Sequence, residues 1–188
     1  MEDLFKQAYL QHTGNEKEAS EQLLKLKKVA NEKMLAELKE TMLDSPAPDF
    51  ILEDLDGQFI SLADLKGKIV IIDFWATWCA PCKASFPGMK QAVEKYRDDE
   101  SVRFLFINSS ERVEDWKKNA ADFMTKNNYP FHVLLDTENR AATAFDVAVI
   151  PTKFVIDKKG KIRFKSEGFS GSTDQLVEEL SLMIEMLR

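Results

Sequence analysis

The chain has 188 residues, a formal net charge of −6, and is 44% hydrophobic and 31% charged, which suits one globular domain and an appendage. The acidic balance argues against a general nucleic-acid binder, and no apolar run reaches the roughly 20 residues that cross a bilayer. Met1-Glu2-Asp3-Leu4 lacks both a basic and an apolar leader region, so no signal peptide is expected at this start.

In chain order, a short helical pattern runs through Leu4, Phe5, Ala8 and Tyr9 and breaks at Thr13-Gly14-Asn15. A longer helix follows, with Ala19, Leu23, Leu26, Ala30, Met34, Leu38 and Met42 at steps of three or four on one stripe. Ser45-Pro46-Ala47-Pro48 ends it. Residues 1–44 thus read as a helical extension and 45–188 as a separate domain. The extension fits a partner-binding or dimerising hairpin, a helix packed on its own domain, or the remnant of an upstream domain.

Asp49 to Leu52 and Gln58 to Ser61 form a hairpin around Asp56-Gly57. Ser61 caps a short helix to Leu65. Lys68 to Trp75 is a β-branched run that reads as a central strand buried on both faces. After Pro81 the pattern turns helical, with Phe86, Met89, Val93 and Tyr96 in step. Val102 to Asn108 is a strand and Val113 to Asn127 a helix that turns Trp116, Ala120 and Phe123 inward. His132 to Leu135 is a strand and Asn139 to Phe145 a short helix. Lys153 to Ile156 pairs with Ile162 to Ser166, and Ser172 with Gln175 caps a last helix to Arg188.

The two cysteines, Cys79 and Cys82, frame Cys79-Ala80-Pro81-Cys82. Closing so short a loop gains only about 2 kcal/mol by chain entropy, against ~4.7 for 100 residues. The spacing therefore suits a bond that forms and breaks, with one exposed thiol and one that resolves a mixed disulfide. Half of a zinc site is the competing reading, but zinc needs four ligands, and His12 and His132 stand alone. Two inert thiols are a further alternative, which Pro81 and the aromatic surroundings oppose. Proline is welcome in a helix's first turn. Cys79 then sits at a helix N-terminus, where the dipole and free N–H groups favour a thiolate. Asp73 interrupts the apolar strand. Burial should raise its pKa and fit it to take the proton of Cys82; the alternative is a carboxylate that reaches water at the strand's end.

The stretch from Asp73 to Lys83 resembles the active site of the thioredoxin superfamily. More narrowly, the chain resembles membrane-associated bacterial thiol:disulfide oxidoreductases of the TlpA/ResA type, related to the AhpC/TSA group. Ala47-Pro48-Asp49-Phe50 with Leu55-Asp56-Gly57-Gln58, Val149-Ile150-Pro151-Thr152, and Phe154 to Ile162 carry the resemblance over about residues 45 to 188. It implies an α/β fold: a thioredoxin-like three-layer αβα sandwich with an N-terminal β-hairpin and a central αβ insertion. It implies protein disulfide or dithiol substrates, a redox partner protein as electron donor, and no metal or organic cofactor. It implies a periplasmic or envelope-facing site, with the cytoplasm as alternative.

On this reading Cys79 is the nucleophile, Cys82 the resolving thiol and Asp73 the proton acceptor. Trp78 walls the site, together with Trp75, and Pro81 tunes the pair. Pro151 is expected in the cis form, and the Ile150 backbone offers strand-like hydrogen bonds to an extended substrate. One departure stands out. Several TlpA/ResA-like proteins carry Glu three residues after the second cysteine, where this chain has Ser85, and Asn at the strand position held here by Asp73. Two other functions compete. A peroxidase needs Thr three residues before the attacking cysteine, and Ala76 holds that place. A non-catalytic binding module has no need of two cysteines.

Overall fold

The structure is a computed structural model that describes residues 15–188 together with Gln7, Tyr9 and Leu10; the rest of the first expected helix lies outside them. The chain divides into two compact units, Met1–Thr41 and Met42–Arg188. Among the described residues no helix is long and apolar enough to cross a membrane.

In the first unit, helix α1 spans Glu16–Glu40. Asn15 caps it, its side chain accepting from the Glu18 N–H, and Glu16 and Glu18 favour the positive end of the dipole. The helix stops at Thr41, so Met42 at the end of the expected stripe lies beyond it. Ala19 and Leu38 are buried, but Leu26, read as part of the apolar face, is 53% exposed.

The second unit is built on one eight-stranded sheet. Its strands are β1 Ser45–Pro46, β2 Ile51–Asp54, β3 Phe59–Ser61, β4 Ile69–Trp75, β5 Val102–Ser109, β6 Val133–Asp136, β7 Thr152–Ile156 and β8 Lys161–Glu167. They lie in the order β1-β8-β7-β4-β5-β6-β2-β3. Strand β4 is central, parallel to β5 and antiparallel to β7, and every one of its residues is buried. That is what its uninterrupted apolar run requires, since helices cover both faces.

Alternation along β4 sorts the two faces. Val70, Ile72 and Phe74 join Phe50, Ile107 and Phe154 in a cluster closed by Leu62, Ala141 and Ala142. The last two belong to α4, Arg140–Ala144. Ile71, Asp73 and Trp75 point the other way. There Trp75 meets Phe86 at 5.3 Å and Phe123 at 5.5 Å between ring centres. Phe86 belongs to α2, Ala80–Lys95, and Phe123 to α3, Trp116–Asn127. Helix α5, Thr173–Met186, packs beside α2 at Gly88, where a Cβ would come within 2.9 Å of Leu176 Cδ2. The result is the three-layer α/β sandwich with a β2–β3 hairpin and an α3–β6 insertion.

Four local readings change. Ser45-Pro46 is a strand, pairing with Ile162 and Lys161 of β8, because two residues suffice for a bridge that no periodicity reveals. Ser61 ends β3 instead of capping a helix; its hydroxyl and Asp49 Oδ1 both accept from the Ala63 N–H, which opens a 3₁₀ turn over Ala63–Leu65. Helix α3 starts at Trp116 instead of Val113 because Asp115 takes the cap, accepting from the Lys118 N–H. Helix α5 is capped as expected by Ser172, which accepts from the Gln175 N–H, but it ends at Met186, short of Arg188.

Candidate active site

The site lies where β4 gives way to α2. Ala76, Thr77 and Trp78 make the turn, and Cys79 is the N-cap of α2. Its sulfur accepts from the Cys82 N–H at 3.2 Å, which places the sulfur on the unsatisfied amides of the first helical turn. Pro81 sits in that turn, where no partner for its nitrogen is needed. Cys79 and Cys82 are joined as a disulfide, with sulfurs 1.97 Å apart. Among the described residues no group of three or more His, Cys, Asp and Glu side chains could hold a metal ion.

Neither sulfur is as open as the spacing alone suggests. Cys79 is 2% exposed and Cys82 fully buried. The difference between them is one of access. Cys79 lines a groove of about 390 Å³ with Trp78, Pro81, Val147, Val149 and Ile150, and Cys82 does not reach it. The Ile150–Pro151 peptide is cis, and the Cys79 sulfur lies 3.6 Å from the Ile150 carbonyl oxygen. The expected site residues Cys79, Trp78, Pro81 and Ile150 therefore meet on one surface, with Pro151 buried next to it.

The two tryptophans divide. Trp78 is 40% exposed; its indole N–H donates to the Ser110 carbonyl at 2.9 Å and the Arg112 guanidinium lies 4.0 Å from its ring centre. Trp75 is fully buried between Phe86 and Phe123 and belongs to the core, because it is still in register on β4.

Asp73 is fully buried on the α2 side of β4. It does not stand alone on this face of the sheet. Lys153 stands opposite in the β4–β7 register, itself 5% exposed, with its Nζ 3.3 Å from Asp73 Oδ1. The contact is an ion pair without hydrogen-bond geometry, and among the described residues neither carboxylate oxygen nor the ammonium has a hydrogen-bond partner. Burial pushes the Asp73 carboxyl above the usual carboxylate range, and the Lys153 charge opposes the rise without reversing it. Glu179 on α5 behaves alike: burial raises it and Lys153 counters. Ser85 offers no acid; its hydroxyl donates to the Cys82 carbonyl.

A second feature was not foreseen. Glu111, after β5, accepts from the Thr77 N–H at 2.6 Å and the Thr77 hydroxyl at 2.8 Å. Asn119 of α3 donates to the same hydroxyl at 2.8 Å. The turn before Cys79 is thereby fixed by groups more than thirty residues away.

Residues 43–165 match the AhpC/TSA family. The thiol-disulfide oxidoreductase ResA of Bacillus subtilis is 40% identical over 118 residues, covering 63% of each chain. ResA of Bacillus cereus is 35% identical over 127 residues, 68% of this chain and 70% of that one. The chain thus spans just under two thirds of the first of these relatives. Among solved structures, a thiol:disulfide interchange protein of the thioredoxin family from Chlorobium tepidum superposes with a TM-score of 0.62 at 28% identity, covering 77% of this chain and 97% of that one. The chain belongs to the AhpC/TSA family, in its thioredoxin-like, ResA-type branch.

Proposed function

We propose that the protein is a thiol:disulfide oxidoreductase that reduces disulfides in protein substrates through Cys79 and Cys82. The observation that carries this reading is the Cys79–Cys82 bond at the mouth of an apolar groove, at the start of α2. In the reduced protein the Cys79 thiolate attacks a substrate disulfide, forming a mixed disulfide and releasing one substrate thiolate. Cys82 gives its proton to Asp73 and attacks the Cys79 sulfur. The Cys79–Cys82 bond forms, the mixed disulfide breaks, and the second substrate thiolate leaves with the electron pair. A dithiol partner protein returns two electrons. Trp78, Pro81, Ile150 and Pro151 hold the substrate chain. We place this cycle on the extracytoplasmic side, where disulfides persist, on the strength of the ResA-type membership.

Thr77 weighs against a peroxidase. Its hydroxyl donates to Glu111 and accepts from Asn119, so it is already engaged and not free to hold a peroxide. Insulin reduction beside peroxide consumption tests the reading. Rapid insulin reduction with peroxide turnover at background is expected; the opposite result would make the protein a peroxidase.

We also propose that the redox domain stands alone. Leu43 donates its N–H to the Arg163 carbonyl, and Asp44 pairs with Lys161 and Arg163, so these residues complete the β8 edge. A chain of residues 42–188 is expected to unfold cooperatively and reduce insulin within about twofold of the full chain. Loss of the unfolding transition would show that the domain needs the first unit.

A further inference from the structure

Two neighbouring charges on the segment after β5 have opposite fates. Glu111 turns inward. Beyond its two bonds to Thr77, it accepts from Asn108 Nδ2 at 2.8 Å, and Asn108 is fully buried on β5. One carboxylate thus ties the central sheet to the turn that delivers Trp78 and Cys79. Ser110 is fixed as well. Its backbone is left-handed at φ 57°, and its N–H donates to Asn139 Oδ1 at 2.7 Å.

Arg112 turns outward. It is exposed, its guanidinium lies over the Trp78 ring, and it has no ion-pair partner among the described residues. Trp78 and Ser110 both line the groove beside Cys79, and no charged residue lines it. The groove is an apolar trough, and the Arg112 guanidinium stacks on Trp78, one of the residues that line it. Stacking on an aromatic face holds a guanidinium in place while leaving its N–H fork open to a carboxylate.

We propose that Arg112 sets substrate specificity, favouring peptide disulfides in which an Asp or Glu flanks the attacked cysteine, and that Glu111 is the positioning residue that holds Trp78 at the groove and Arg112 on its ring. This rests on the disulfide-exchange reading above. An exposed charge pair in water is modest and screened by salt, so the effect belongs in relative rates.

The test uses the reduced full-length chain and two synthetic disulfide peptides that differ only in Glu or Lys beside the attacked cysteine. Rates are divided by those with dithiothreitol, which removes each peptide's intrinsic reactivity. At low ionic strength the Glu peptide is expected to react about three- to tenfold faster, with the ratio compressed by salt. Arg112→Gln should bring the ratio to about one, and Arg112→Glu should invert it. Glu111→Ala separates position from charge. Removing a negative charge alone would raise the preference for Glu, whereas releasing the loop lowers it; Glu111→Gln should restore part of it. A ratio unchanged in both Arg112 variants overturns the specificity role, and a ratio raised by Glu111→Ala overturns the positioning role. If the folded wild type exchanges with neither peptide while dithiothreitol does, the exchange reading itself falls.

Discussion

Cys82→Ser is expected to accumulate covalent complexes with substrate proteins, Cys79→Ser to accumulate none, and both to lose multiple-turnover disulfide reduction to the uncatalysed background. The asymmetry follows from access and from charge. Cys79 reaches the groove, and Cys82 lies fully buried in the first turn of α2. The Cys79 sulfur also accepts the Cys82 N–H at the positive end of the helix, so a thiolate there is the more stable of the two. Without Cys82 nothing resolves the mixed disulfide, and it persists on a non-reducing gel until external thiol is added. Without Cys79 the remaining thiol has no path to a substrate sulfur. Trapping by Cys79→Ser and not by Cys82→Ser would reverse the assignment.

What could be read from residue types alone was what nearby residues decide. The β4 run, the proline-led start of α2 and the cap at Ser172 each depend on neighbours within four positions, and all are present in the fold. The polar residue Asp73 announced itself by interrupting an apolar strand. Its partner did not. Lys153 faces it only through the β4–β7 register, and nothing in a single chain fixes a register eighty residues apart. A lysine two residues after Pro151, inside an otherwise apolar strand, was the available signal. Glu111 gave none, since a glutamate in a polar loop looks like any other. Trp75 and Trp78 show the same limit, because the strand ends between them and only its end separates core from surface. Periodicity also reports a face and not its cover: the α1 stripe has the right spacing, yet Leu26 is exposed.

Asp73→Asn is expected to keep the fold and to slow reduction on the order of 10²-fold, the usual worth of a positioned base. In the proposed cycle resolution requires Asp73 to be ionised, so the wild-type rate should rise with pH through its elevated pKa, and the Asn variant should lack that rise. Stability runs the other way. Between the unfolded carboxylate's pKa of about 3.9 and the higher folded value, the folded state holds a proton that the unfolded chain has released. Wild-type stability is therefore full below that window and falls as pH rises through it, by about 1.4 kcal/mol for each unit of elevation. Asn mimics the protonated acid and has no such window, so the variant gains on the wild type as pH rises and is at least as stable at neutrality. Lys153→Met removes the charge that opposes burial. Asp73 then rises further, and the rate profile shifts to higher pH while its maximum is kept. Turnover across pH 5 to 9 beside urea midpoints at the same pH values reads both effects. An Asn variant with unchanged turnover and lower stability would make the Asp73–Lys153 pair a structural bridge between β4 and β7, and the proton of Cys82 would need another acceptor.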